Sequence, residues 1–126
     1  MARTETTVVD INTTTSSSIT DNDTVIDASL VTAGLDITDF FNTREGTRGL
    51  LVTNTSAVTS DTITIKAGSG VNAGLGDMDV DIAQNEQYLI GNIESARFDQ
   101  GDGSLYINFA TSATGLIVGF GEKPAL

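Results

Sequence analysis

The chain has 126 residues, neither cysteine nor histidine, and a net charge of −11 from six basic and seventeen acidic residues. That length makes one domain with one modest core, and the missing thiols exclude disulfide staples and thiolate chemistry. Arg3, Arg44, Arg48, Lys66, Arg97 and Lys123 are too few and too scattered to neutralise phosphates, so neither nucleic acid nor an anionic membrane surface is expected as a direct partner.

Tryptophan is absent and only five Phe and two Tyr supply aromatic area, so the expected core is mostly aliphatic. The start, Met-Ala-Arg-Thr-Glu-Thr-Thr, lacks the apolar stretch of a signal peptide, and no run reaches membrane-spanning length. Without a secretory signal, the glycosylation triplets at Asn12, Asn22 and Asn54 read as chance in a Thr-rich chain.

Residues 1–24 are polar and low in complexity around Thr13-Thr-Thr-Ser-Ser-Ser18. They read either as a first strand, Thr6-Thr-Val-Val-Asp-Ile11, followed by a loop, or as an arm that orders against a neighbour. Between Asp23 and Thr43 the apolar pairs keep no clean period; short extended segments are favoured, with Asp36 a candidate cap for one helical turn. Thr43–Arg48 then reads as a loop and Gly49–Thr55 as a buried strand.

Beyond that point the pattern is regular. In Asp61-Thr-Ile-Thr-Ile-Lys66, Ile63 and Ile65 share one face while Thr62, Thr64 and Lys66 share the other. A glycine-rich connection, 67–76, leads to Met78, Val80 and Ile82 on one face, with Asp77, Asp79 and Asp81 opposite. Glu86–Ile93 is a further strand running towards Ser95-Ala-Arg-Phe98. Asp102-Gly103 signals a tight hairpin. Leu105, Ile107 and Phe109 line the returning strand, and Leu116, Val118 and Phe120 are expected on the inner face of the last. The fold class that follows is all-β: an antiparallel β-sandwich or small β-barrel of about eight short strands. Residues 1–24 form the arm or first strand plus loop, and 25–126 the sandwich domain.

No catalytic constellation emerges. The Asp77, Asp79, Asp81 row could attract Ca²⁺, but alternate strand residues stand about 6–7 Å apart, too far for an easy shared shell. A solvated face that blocks edge pairing explains it better. Asp99 with Asp102, and Asp21 with Asp23, lack calcium-loop spacing and read as turn chemistry. No Gly-x-Ser-x-Gly elbow occurs, nothing selects a glycosidase pair among the acids, and 67–76 is followed by neither the Lys-Ser/Thr nor the helix of a phosphate loop. Arg97 beside Phe98 reads as a partner anchor or a structural ion pair. Tyr88 and Tyr106 make a thin platform for a sugar. Neither enzyme activity, nor a cofactor, nor a metal is expected.

Thr64-Ile-Lys-Ala-Gly68, Ala73-Gly-Leu-Gly-Asp77, Glu94-Ser-Ala-Arg-Phe98 and Asp102-Gly103 follow one another in an order and spacing that resemble small virion proteins of tailed phages and prophages. Leu50-Leu-Val-Thr-Asn-Thr-Ser56 is similar to the strand before them. The resemblance implies a capsid decoration, or cement, protein, often a homotrimer, that binds the outer surface of an assembled head and bridges major capsid protein subunits. On that reading Thr6, Val8, Val9, Ile11, Arg44, Arg48 and Arg97 are the candidate capsid or subunit contacts. A tail, baseplate or head-fibre module is the structural alternative, and a carbohydrate-binding module the more distant one.

Overall fold

A computed structural model describes residues 2–11, 24–91 and 93–123. The Thr13–Ser18 tract, the pair Asp21 and Asp23, and the triplets beginning at Asn12 and Asn22 fall wholly or partly outside them. The described residues form ten strands: β1 (Thr4–Thr7), β2 (Val9–Asp10), β3 (Thr24–Ile26), β4 (Leu35–Thr38), β5 (Gly49–Asn54), β6 (Ser60–Ile65), β7 (Met78–Ala83), β8 (Gln87–Ile90), β9 (Leu105–Phe109) and β10 (Gly115–Gly121). One sheet runs β1-β4-β9-β6-β7. The other runs β2-β10-β5-β8, and β3 shares with β2 the remaining edge of β10.

The sheets pack face to face as a sandwich, and neither closes into a barrel. They are mixed rather than wholly antiparallel, because β1 lies parallel to β4 and β2 parallel to β10. Both pairings come from one stretch that changes sheets at Val8, whose side chain is 4% exposed and plugs the core between them. Residues 2–11 are thus woven into both layers, which favours the first-strand reading of the N-terminus over the free arm.

Period two holds where it was expected. Ile63 and Ile65 of β6, Ile82 of β7, and Leu105 and Ile107 of β9 point inwards with Leu35 and Ile37 of β4, facing Leu50, Val52 and Ile117 of the second sheet. Each such side chain contributes roughly 1.5–3 kcal/mol on burial. Phe40 and Phe98 close one end of the core, with the Phe40 and Phe41 rings edge to face at 5.0 Å.

Four local expectations are corrected. Residues Ala28–Ala33 form a short helix capped by Asp27, whose carboxylate accepts from the Leu30 N–H at 2.9 Å; Asp36 lies within β4 instead. Ser95–Phe98 is a helical turn, and the strand before it stops at Ile90. Asp102-Gly103 joins no hairpin, since β9 pairs with β4 and β6; Asp99 Oδ1 holds the loop by accepting from the N–H groups of Gly101 and Gly103 at 2.9 and 3.0 Å. Lastly, β10 is turned over. Gly115, Ile117 and Gly119 face the core, and Leu116, Val118 and Phe120 face away from it.

The last correction has a steric cause. A Cβ on Gly119 would lie 2.9 Å from the Ile37 side chain and 3.4 Å from the Phe40 ring, so the first sheet and the turn after β4 occupy the space that a larger residue would need. Glycine lets β10 approach that closely without displacing the Ile37 side chain.

Candidate interaction surface

The two outer faces of the sandwich differ sharply in chemistry. On the first sheet, Thr62 pairs with Asp81 and Thr64 with Asp79 across the β6–β7 ladder. The threonine hydroxyls donate to those carboxylates at 2.6 and 2.8 Å. Asp77 accepts from Lys66 Nζ and from the Ala67 N–H, both at 2.7 Å, and these bonds hold its pKa below the usual carboxylate range. The row lies on β7, an edge strand, where charge opposes pairing with another sheet. Among the described residues no three acidic groups are arranged to hold a metal ion.

Among the described residues the strands of the second sheet place no charge on its outer face. Its cross-strand registers align Val25, Leu116, Thr53 and Gln87 in one row, and Val118, Leu51 and Leu89 in the next. Val9 and Phe120 make a third, shorter row. Val25 is 59% exposed and Leu89 71%, while Leu51, Leu116 and Phe120 are half-buried and Val118 is buried, in a chain that is strongly acidic as a whole. Aliphatic side chains set side by side, with Val25 and Leu89 largely open to solvent, mark a candidate interaction surface.

At one end of the sandwich, the segments that carried the sequence resemblance come together. The Gly68, Ser69 and Asn72 N–H groups donate to the carbonyls of Arg97, Asp99 and Ala96 at 2.8–2.9 Å. Arg97 returns bonds to the carbonyls of Gly76 and Asp77 at 2.9 and 3.1 Å, and lies over the Phe98 ring. A Cβ on Gly68 would come within 1.9 Å of the Asp99 carbonyl oxygen, so the glycine is required by close backbone approach. These bonds fix a loop that holds Val71, 93% exposed, and Leu75 out into solvent.

The candidate contacts divide between surface and interior. Val9 and Ile11 remain partly or largely exposed, Thr6 is half-buried in β1, and Arg44 is exposed and paired with Glu122 at 3.2 Å. Val8 belongs to the core. Arg48 is enclosed: it donates to the carbonyls of Phe41 and Thr43 and to the Thr43 hydroxyl, with its guanidinium over the Phe41 ring. Arg97 braces the loop just described. Val8, Arg48 and Arg97 therefore stabilise the protomer, and their side chains are committed within it. The Arg3 guanidinium lies over one face of the Tyr106 ring at 4.5 Å, and Tyr88 is half-buried against the core.

No protein-family model, no curated protein and no solved structure matches the chain. Sequence reasoning missed the apolar outer face because it assigned Leu116, Val118 and Phe120 to the core. The missed signal was the glycine at alternate positions, Gly119 and Gly121, which identifies the side pressed against Ile37, Phe40 and Thr43. Between the sheets a cavity of about 10 Å³ is lined by Asp61, Ile63, Ile82 and Asn54. That suits one water, against the several hundred Å³ of ordinary small-molecule sites.

Proposed function

We propose that this protein is a structural component of a tailed-phage particle, docking on the outside of the assembled head and bridging major capsid protein subunits. The observation that carries this reading is the apolar outer face of the second sheet, without charge among the described residues, on a chain of net charge −11. Acidic copies repel one another and stay soluble, so a face without carboxylates is where close contact with another protein costs least. The resemblance of the loop segments to phage virion proteins directs the reading to the head. Many copies with small interfaces stabilise a shell through summed contacts and mass action.

The test is heat or osmotic shock of particles with and without the protein, alongside a Val25→Glu variant. Val25 is largely exposed, so the variant keeps its fold while placing a carboxylate on the docking face. The expected result is higher survival of decorated particles and loss of particle-bound protein in the variant. Equal survival with no particle-bound copies would remove the proposal.

A further inference from the structure

We propose that β8 is a pairing edge for a second copy of this chain, joined antiparallel about a two-fold axis at Leu89. Strand β8 ends the second sheet, and among the described residues nothing pairs with its outer side. The direction of its backbone groups follows from the ladder with β5. Asn54 donates to the Glu86 carbonyl, and Val52 and Leu50 stand opposite Tyr88 and Ile90. Since strand bonds alternate sides, the N–H and C=O groups of Gln87, Leu89 and Gly91 point outwards from the sheet.

The occupant is argued from charge and register. From Gln87 to Gly91 the edge carries no charged residue, no proline and no glycine before its end. The other long edge, β7, carries Asp79 and Asp81, so two acidic copies meeting there would repel. A two-fold axis perpendicular to the sheet keeps each face on its own side and therefore pairs residues of equal parity. Centring it on Leu89 sets Tyr88 opposite Ile90 and Gln87 opposite Gly91 of the other copy. Leu89 then exchanges both backbone bonds with its equivalent, and the Leu51–Leu89 row continues across the axis as one apolar strip. Centring on Tyr88 would pair groups already bonded to β5.

The inference concerns the isolated chain, so its failure leaves the capsid reading standing. The chain lacks cysteine, which makes a single introduced thiol diagnostic. In an antiparallel hydrogen-bonded pair the two Cα atoms lie about 5.5 Å apart, within the range a disulfide spans. Leu89→Cys is expected to oxidise to a covalent dimer in mild oxidant, while Val71→Cys, still more accessible on its loop, stays monomeric. Sedimentation of the wild-type chain is expected to show a species of twice the 13.1 kDa chain mass that strengthens with added salt as repulsion is screened. Leu89→Lys, checked for folding by circular dichroism, is expected to abolish it. A monomer at every concentration, a trimer without Leu89→Cys cross-links, or equal cross-linking of both thiol variants would overturn the proposal.

Discussion

Asn54 is the residue whose removal tests the joining of the two sheets most sharply. It lies on β5 of the second sheet, 3% exposed, and its Nδ2 donates to the Ile82 carbonyl of β7, in the first sheet, at 2.6 Å. Its Oδ1 accepts from the Ser56 N–H at 2.8 Å and so shapes the turn that carries the chain across to β6. Asn54→Ala leaves the buried Ser56 N–H without a partner and removes one of the two bonds of the Ile82 carbonyl, which keeps its ladder bond from the Asp61 N–H. A buried group left without a partner costs about 1–3 kcal/mol, and that is the loss predicted. The neighbouring cavity could admit one water, which places the expectation near the middle of that range. At this size about 1 kcal/mol moves the melting temperature by roughly 3–5 °C, so a fall of about 6–10 °C is expected by calorimetry. Urea denaturation should show a lower midpoint with an unchanged slope. A loss below about 1 kcal/mol would refute the idea that this amide couples the layers.

Asp36, 8% exposed on the outer side of β4, has one carboxylate oxygen without a partner. Burial, then Asp102 and Glu5, raise its pKa, against a hydrogen bond from Ser104 and the charge of Arg3. The folded state therefore holds this proton more tightly than the unfolded chain, and its contribution to stability falls as pH rises from about 3.8 through the folded pKa. Asp36→Asn is expected to match wild type near pH 3 and to exceed it by about 1 kcal/mol or more at pH 7; equal stability at both would contradict this. Asp77 has the opposite sign: its depressed pKa gives stability present above about 3.8 and lost as pH falls through the folded pKa. Asp77→Asn should therefore flatten that acid limb, measured by urea melts across pH 2–5, and an unchanged limb would argue against the Lys66–Ala67 bonds as its cause. Gly68→Ala should release the glycine-rich loop, because the added carbon collides with the Asp99 backbone, and faster amide exchange at 68–76 is the readout. Exchange rates equal to wild type would show that the loop accommodates the methyl.

The strands that could be read from the sequence are those whose two faces differ in chemistry. Thr62–Lys66 and Asp77–Ile82 alternate polar with aliphatic, and the structure buries the aliphatic side as that alternation requires. β10 was misread because both faces are apolar in different ways: glycines lie against Ile37, Phe40 and Thr43 inside, and large side chains stand outside. Local pattern carries no information about how closely a second sheet approaches, and that distance is what selects glycine. The Ala28–Ala33 helix was hidden because six residues bury only Leu30, so no periodic face develops; its signal was the Asp27 cap three residues before the N–H it binds. The parallel pairings of β1 and β2 are contacts between segments far apart in the chain, beyond the reach of any local pattern. For the candidate surface, sequence located the loop segments that converge at one end, and it misplaced the residues of the open face.

The most direct measurement is a density map of the native particle with this chain located in it. The account predicts copies on the outer head surface, following the lattice of the shell, with the Val25–Leu116–Leu51 side of the second sheet turned towards capsid subunits. Copies on the tail alone, or seated on the shell through the Asp79–Asp81 face of the first sheet, would contradict it.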